Sequence, residues 1–461
     1  MAVVAPFRGV RYNLEKITRL EDVVTPPYDV ISPDDAENLV KKNPYSMINL
    51  DLCNISQGET EDNGRYEQAR ARFEAWQDEA VLIRDQHPAI YLYYIEYNHP
   101  GGHRLTRKGI VGLVGLAEFA EGIVRPHEKT FSGVISDRLQ LMETCRAQFS
   151  QVFSIYSDPE QEVISKLEKV REPEPLLRIE DQNANLHTLW RATDAEALCA
   201  VHQFFKEKSV YIADGHHRYT TALDCRRRAL ARNPELPEEH PCNYIMMYLC
   251  ACEDQGLSVL PTHRLVRWPG VMTADQLQEK LALGIHVTEV SQGSRETLIA
   301  ETLEQMQEAE GGAGVLTFGV YHAGEDRAFL LAVDGQAVNA AQALAEQPEV
   351  LRDLDVVVLS DLLIDDYLGL SHEQCVREEL VRYLSDTDAA LDAVVKENAL
   401  QDTHTPLLFL LNPTQVEQVL RVADSNTIMP HKSTYFYPKI MTGLLLNKLD
   451  DEEIQVPQPC L

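Results

Sequence analysis

The segment Val210-Tyr-Ile-Ala-Asp-Gly-His-His-Arg218 constrains this chain more tightly than any other. Val210 to Ala213 is apolar and partly β-branched, the pattern of a buried strand, and Asp214-Gly215 is a turn signal. Ala222, Leu223 and Ala229 then supply helix formers, so strand, tight turn and helix follow one another closely. His216, His217 and Arg218 fall in the first helical turn, where free backbone N–H groups and the helix dipole favour an anion. Arg218, at an exposed helix start, offers a bidentate grip on phosphate or carboxylate. Asp214 is placed to cap the helix, hold a metal or receive a proton. The plainer alternative is a capping Asp, a turn Gly and a solvated basic helix start. Three cation-capable side chains converging on a glycine turn favour a reactive anion site.

A second group of polar residues is His127-Glu128. A zinc-protease motif would need His-Glu-x-x-His on a helix, and position 131 is Phe131. Glu128 suits a base that deprotonates a hydroxyl as it attacks phosphorus. The alternative is a surface carboxylate paired with Lys129 or Arg125. Arg138 follows Asp137, and its planar fork suits a carboxylate or phosphate. An Arg–Asp pair pinning a loop to a helix is the equal alternative. His263 and Arg264 stand just past an apolar run and Pro261, at an expected strand end. Lys432 and Ser433 are placed to hold a terminal phosphate, although the glycine pattern of a Walker loop is absent and a rigid turn explains them equally. Pro26-Pro-Tyr-Asp29 is a stiff turn, with Asp29 a ligand or a turn acceptor.

A chain of 461 residues is too long for one core. Turn residues at Arg267-Trp-Pro-Gly270 suggest a division into 1–268 and 269–461, with 429–439 a candidate return to the site. Strand-like and helix-like runs alternate throughout, giving an α/β or α+β assembly with mixed sheets and a second α/β domain. Expected helices include Tyr66–Val81, Ala274–Ala282, Glu296–Glu308, Val356–Tyr367 and Gln415–Val422. Loops are expected at Gln292–Arg295 and Ala309–Gly314. The formal charge of −30 repels a nucleic-acid backbone and excludes a DNA-binding role. Nine cysteines in no regular framework fit a reduced compartment, and Cys250 and Cys252 read as buried thiols. No apolar run approaches the ~20 residues of a membrane span and no signal peptide is evident, so a cytoplasmic protein is expected.

Across nearly its whole length the chain resembles the DUF1015 family. The landmarks are Ala5-Pro-Phe-Arg-Gly9, Pro26-Pro-Tyr-Asp-Val30, Asn43-Pro-Tyr45, His127-Glu128, Ser136-Asp-Arg-Leu139, the Asp214 turn, Pro261-Thr-His-Arg264 and Met429-Pro-His-Lys-Ser-Thr434. Asp214-Gly-His-His-Arg218 also resembles the phosphate turn of the ParB/sulfiredoxin-like superfamily, in particular its ADP-dependent free-serine kinases, and Arg125-Pro-His-Glu-Lys-Thr130 resembles their His-Glu element. The resemblance implies a ParB/sulfiredoxin-like phosphate-binding core. It also implies phosphoryl transfer between a nucleotide, ADP or ATP, and free serine or phosphoserine, in either direction. The nucleotide brings Mg²⁺, with Asp214 a candidate ligand. In this scheme Glu128, Asp214, His216 and His217 are catalytic, while His127, Gly215, Arg218, Arg138, His263, Arg264, Lys432 and Ser433 bind phosphate or substrate. A non-catalytic nucleotide-binding regulator and a metal-assisted phosphohydrolase are the alternatives. The separation of 86 positions from Glu128 to Asp214 requires the intervening chain to fold back if the two cooperate.

Overall fold

Val210–Asp214 forms a strand next to one edge of a nine-stranded mixed sheet. In chain order its strands are β1 (Val4–Ala5), β2 (Ile90–Asn98), β3 (Arg104–Gly115), β4 (Val124–Arg125), β5 (Val152–Tyr156), β6 (Leu177–Glu180), β7 (Leu186–Ala192), β8 (Val210–Asp214) and β9 (Tyr244–Ala251). Their spatial order is β4-β8-β5-β9-β3-β2-β7-β6, with β1 also paired to β3. β4 runs parallel to β8 and β5 parallel to β9, and the other pairings are antiparallel. The computed structural model describes residues 1–52, 64–282, 285–291, 293–310, 315–400, 403–450 and 452–457. Cys53, Cys460, Gln292 and the loop stretch 311–314 lie outside these.

The sheet is apolar on both faces, which is why β9 reads as an unbroken buried run. Three helices matter for the site: α1 (Ser132–Cys145), α2 (Ala195–Phe205) and α3 (His216–Arg232). On one sheet face Ile90, Leu92, Val152, Ile212 and Leu249 share a core with Val201, Phe205, Tyr219 and Leu223 of α2 and α3. Each such side chain contributes about 1.5–3 kcal/mol by leaving water. The opposite face follows from the two-residue period. Tyr91, Val111, Tyr248, Phe153 and Asp214 are successive cross-strand partners, so Asp214 ends a largely aromatic row. Arg107 is buried on β3, with its guanidinium 4.6 Å from the Phe153 ring and a hydrogen bond of 2.8 Å to the Pro438 carbonyl.

Pro438 opens a return of the chain. The first compact unit comprises Met1–Leu257 together with Pro438–Leu461, and the second is Ser258–Tyr437. In the second unit β10 (Ser258–Leu260) pairs with β17 (Tyr435–Tyr437), so its two ends lie side by side. Between them are β11 (His263–Pro269), β12 (His286–Glu289), β13 (Val315–His322), β14 (Arg327–Asp334), β15 (Val381–Leu384) and β16 (His404–Leu410). They form an antiparallel sheet in the order β12-β14-β13-β16-β11-β15. Arg267-Trp268-Pro269, expected to be a loop, is instead the end of β11. Arg267 pairs with Pro406 and Trp268 with Thr405, and the proline stands at the last strand position, where its missing N–H costs least.

Helices over Gly64–Asp78, Ala274–Leu281, Arg295–Glu310 and Val416–Asp424 agree with the periodicity. The expected helix Val356–Tyr367 starts as a single α-turn and widens to i→i+5 hydrogen bonding over Val358–Tyr367. Cys250 is buried and Cys252 half-buried, both as free thiols. Among the described residues no helix is long and apolar enough to cross a membrane.

Candidate functional site

The site is built where β8 ends and α3 begins. Gly215 has φ 93°, the left-handed region that favours glycine, and an added Cβ would stand 2.8 Å from Arg218 Nε. No side chain caps α3, so its first N–H groups remain at the turn.

Asp214 Oδ2 accepts from Arg218 at 2.5 Å and Oδ1 from Lys439 at 2.8 Å. Burial opposes charge on Asp214, yet Lys439 and Arg218 hold its carboxyl well below the usual range. Both carboxylate oxygens are therefore taken by cations, and Asp214 does not fit the metal-ligand role expected of it. Among the described residues no group of three or more His, Cys, Asp or Glu side chains is arranged to hold a metal ion. Arg218 also departs from expectation. It is buried rather than exposed, and besides Asp214 it donates to the Gln151 carbonyl. Arg218 is the third residue of α3, four positions after Asp214, and its guanidinium turns back under the glycine turn instead of out to solvent.

The two histidines of the turn clamp a loop. The backbone N–H of His127 donates to His216 Nε2 at 3.2 Å, and that of Phe131 donates to His217 Nε2 at 3.0 Å. A neutral imidazole that accepts at Nε2 carries its hydrogen on Nδ1. The Nδ1 of His216 stands 3.6 Å from Glu128 Oε2. Burial pushes His216 down to about 3, and the neighbouring His127 ring acts in the same direction. Burial likewise pushes His127 down to about 4, against the opposing pull of Glu128 and Asp214. His127 and His216 are thus neutral at neutral pH, and the cations of the turn are Arg218 and Lys439. Glu128 is about a quarter exposed, with a side-chain accessibility of 28%, so it can meet a substrate.

His127, Glu128, Asp214, Gly215, His216, His217 and Arg218 therefore come together. Arg138 lies in the same unit, over the Tyr28 ring at 4.6 Å, and is bound to Asp51 at 3.0 Å and to Asp137 at 2.8 Å. These are the ion pairs of the alternative reading, one within α1 and one that ties α1 to the short helix Ile48–Asp51. His263, Arg264, Lys432 and Ser433 belong to the second unit. There Arg264 donates to the Lys432 carbonyl at 3.1 Å and stacks on Tyr383, while His263 contacts Thr387 at 3.0 Å. Ser433 donates to the Pro430 carbonyl at 2.6 Å. Lys439 was missed by the local motifs. Its only sequence signal is its position directly after Tyr435-Phe-Tyr-Pro438, at the end of the segment flagged as a return.

Residues 4–357 match the model of a family described as a protein of unknown function, DUF1015. The chain belongs to the DUF1015 family. No curated protein matches it. Among solved structures, a free serine kinase in complex with AMP aligns over 73% of this chain and 92% of its own, at 12% identity and a TM-score of 0.33. A conserved hypothetical protein from Pyrococcus furiosus aligns over 73% and 95%, at 12% identity and 0.32. SbnI with a C-terminal truncation, from Staphylococcus aureus, aligns over 74% and 90%, at 10% identity and 0.33. These likenesses are faint, and the chemistry of this DUF1015 member rests on its own residues.

Proposed function

We propose that the Asp214 turn is the phosphate cradle of a small-molecule phosphotransferase, with a nucleotide as one partner and free serine, or its phosphate ester in reverse, as the other. The observation that carries this reading is the position of Glu128, a partly exposed carboxylate set against the first residue of a glycine-turned helix. Phosphoryl transfer to an alcohol needs a base at the acceptor and fixed positive charge at the phosphate. Glu128 takes the hydroxyl proton, the oxygen forms its bond to phosphorus, and the bond to the leaving nucleotide oxygen breaks with its electron pair. The N–H groups of His216 and His217, with the ammonium of Lys439, meet the charge that develops. Arg218 acts through Asp214, which it holds ionised and in place. His216 stands beside Glu128, and His216 with His217 fixes the loop that carries it. Mg²⁺ held by the nucleotide phosphates would supply additional charge neutralisation, since both oxygens of Asp214 already accept from cations.

The test is Glu128→Gln. Removing the base lowers turnover about 10²–10⁴-fold while nucleotide affinity, measured by calorimetry, stays within about twofold. Equal turnover in the variant removes Glu128 as base. Nucleotide binding without turnover in the wild type leaves a nucleotide-binding regulator as the better description.

A further inference from the structure

Phe131 ends the loop that carries Glu128, and it is 46% exposed. Among the described phenylalanine, tyrosine and tryptophan residues only Phe131 and Tyr383 are exposed, and the Tyr383 ring already carries the Arg264 guanidinium at 4.5 Å. A lone exposed apolar side chain is ordinary. Phe131 differs in how it is held. Its N–H donates to His217 Nε2 at 3.0 Å, and its carbonyl accepts from the Ile135 N–H at 3.2 Å, at the start of α1. Its ring lies nearly parallel to the His217 imidazole, with centres 5.8 Å apart and planes 20° apart, an offset stack. Next to it Ser132 and Gly133 are exposed, and a Cβ added to Gly133 would meet nothing within 4 Å. A fixed aromatic surface therefore stays in water beside open space. Successive side chains diverge by about 100° around a helix. The first two of α3 accordingly divide the loop: His216 stands 3.6 Å from Glu128, and His217 stacks on Phe131. The carboxylate and the exposed ring thus meet the same uncapped helix start from two ends of one short loop.

We propose that the Phe131 ring is the platform on which the nucleobase stacks, while the phosphates lie on the first turn of α3. A nucleotide has the matching layout, a charged end and a flat aromatic end. The platform deepens the phosphotransfer reading and rests on it for the presence of a nucleotide, but stacking does not depend on turnover. A phenyl face has no donor or acceptor, so it recognises the π-face of a base and not its edge.

The test is calorimetric titration of the full chain, in Mg²⁺, with ADP and separately with inorganic pyrophosphate, which keeps the phosphates and lacks the base. The wild type is expected to bind ADP at least about tenfold more tightly than pyrophosphate. Phe131→Ala should lower ADP affinity about tenfold and leave pyrophosphate affinity within about twofold. Phe131→Trp should keep ADP affinity, whereas Phe131→Leu, apolar but without a π-face, should lose it as alanine does. Because the ring is exposed, all three variants should fold, with melting temperatures close to the wild type. ADP affinity unchanged in Phe131→Ala, an equal loss for ADP and pyrophosphate, or full rescue by leucine overturns the platform and leaves the phosphate cradle standing. No ADP binding by the wild type overturns both. ADP binding with the expected losses but no phosphoryl transfer keeps the platform and overturns the phosphotransfer reading instead.

Discussion

Asp214 keeps its charge at a largely buried position because two cations reach it from different parts of the chain. Arg218 comes from one helical turn onward, and Lys439 from 225 positions away. The residue types of the turn were legible in sequence, but the pairing was not. A glycine turn announces that some backbone group comes close, and nothing in the local pattern says which cation it faces. The expectation of an exposed Arg218 failed for this reason. The buried pair changes the outcome of Arg218→Ala. Removing one partner of a buried ion pair costs about 3–5 kcal/mol, because the remaining charge is left less compensated. Urea unfolding of the variant should show a loss of that order. A loss below about 1 kcal/mol would mean that Arg218 is the solvated helix-start residue its sequence position suggests.

At the scale of elements, the unit that matters is the loop from His127 to Phe131 fastened onto the start of α3 by two imidazoles. The folded values of His127, about 4, and His216, about 3, lie below the ordinary 6.5. Between those limits the unfolded chain binds more protons than the folded one, so stability rises with pH there and is lost on acidification. Each imidazole contributes a slope of up to about 1.4 kcal/mol per pH unit. Asp214 acts in the same sense further down, since its depressed carboxyl loses its stabilising charge below the usual carboxylate range. Unfolding free energies measured from about pH 7 to about pH 5 should therefore fall with acid, and His216→Gln should flatten the slope by up to about one imidazole's share. A profile that is flat in the wild type contradicts the buried neutral pair. Elements with strong periodicity, such as Gly64–Asp78 and β9, were legible because one face or both had to be apolar. Arg267-Trp268-Pro269 was not, because turn residues at a strand end look the same as a loop when the pairing strand lies more than a hundred positions on.

At the scale of the whole molecule the chain leaves its first unit at Leu257 and rejoins it at Pro438. Neither point carries a shift in composition, and the return of the last segment is a long-range pairing, Thr442 with Thr25 and Leu446 with Val10, that sequence spacing does not reveal. Because Ser258 pairs with Tyr437, the second unit begins and ends at one place, the usual condition for an inserted domain. Ser258–Tyr437 expressed alone should unfold cooperatively, and Met1–Leu257 joined to Pro438–Leu461 by a short glycine-rich linker should do the same. A molten second unit, with no cooperative transition, would show that the two do not fold separately. The measurement that bears most directly on the central claim is phosphorus NMR of the full chain incubated with Mg²⁺ and either ADP or ATP plus serine, or AMP or ADP plus phosphoserine. Transfer between nucleotide and the serine hydroxyl, absent in Glu128→Gln, is the expected result. Unchanged spectra in both directions, with the protein folded and the nucleotide bound, would contradict phosphoryl transfer at the Asp214 turn.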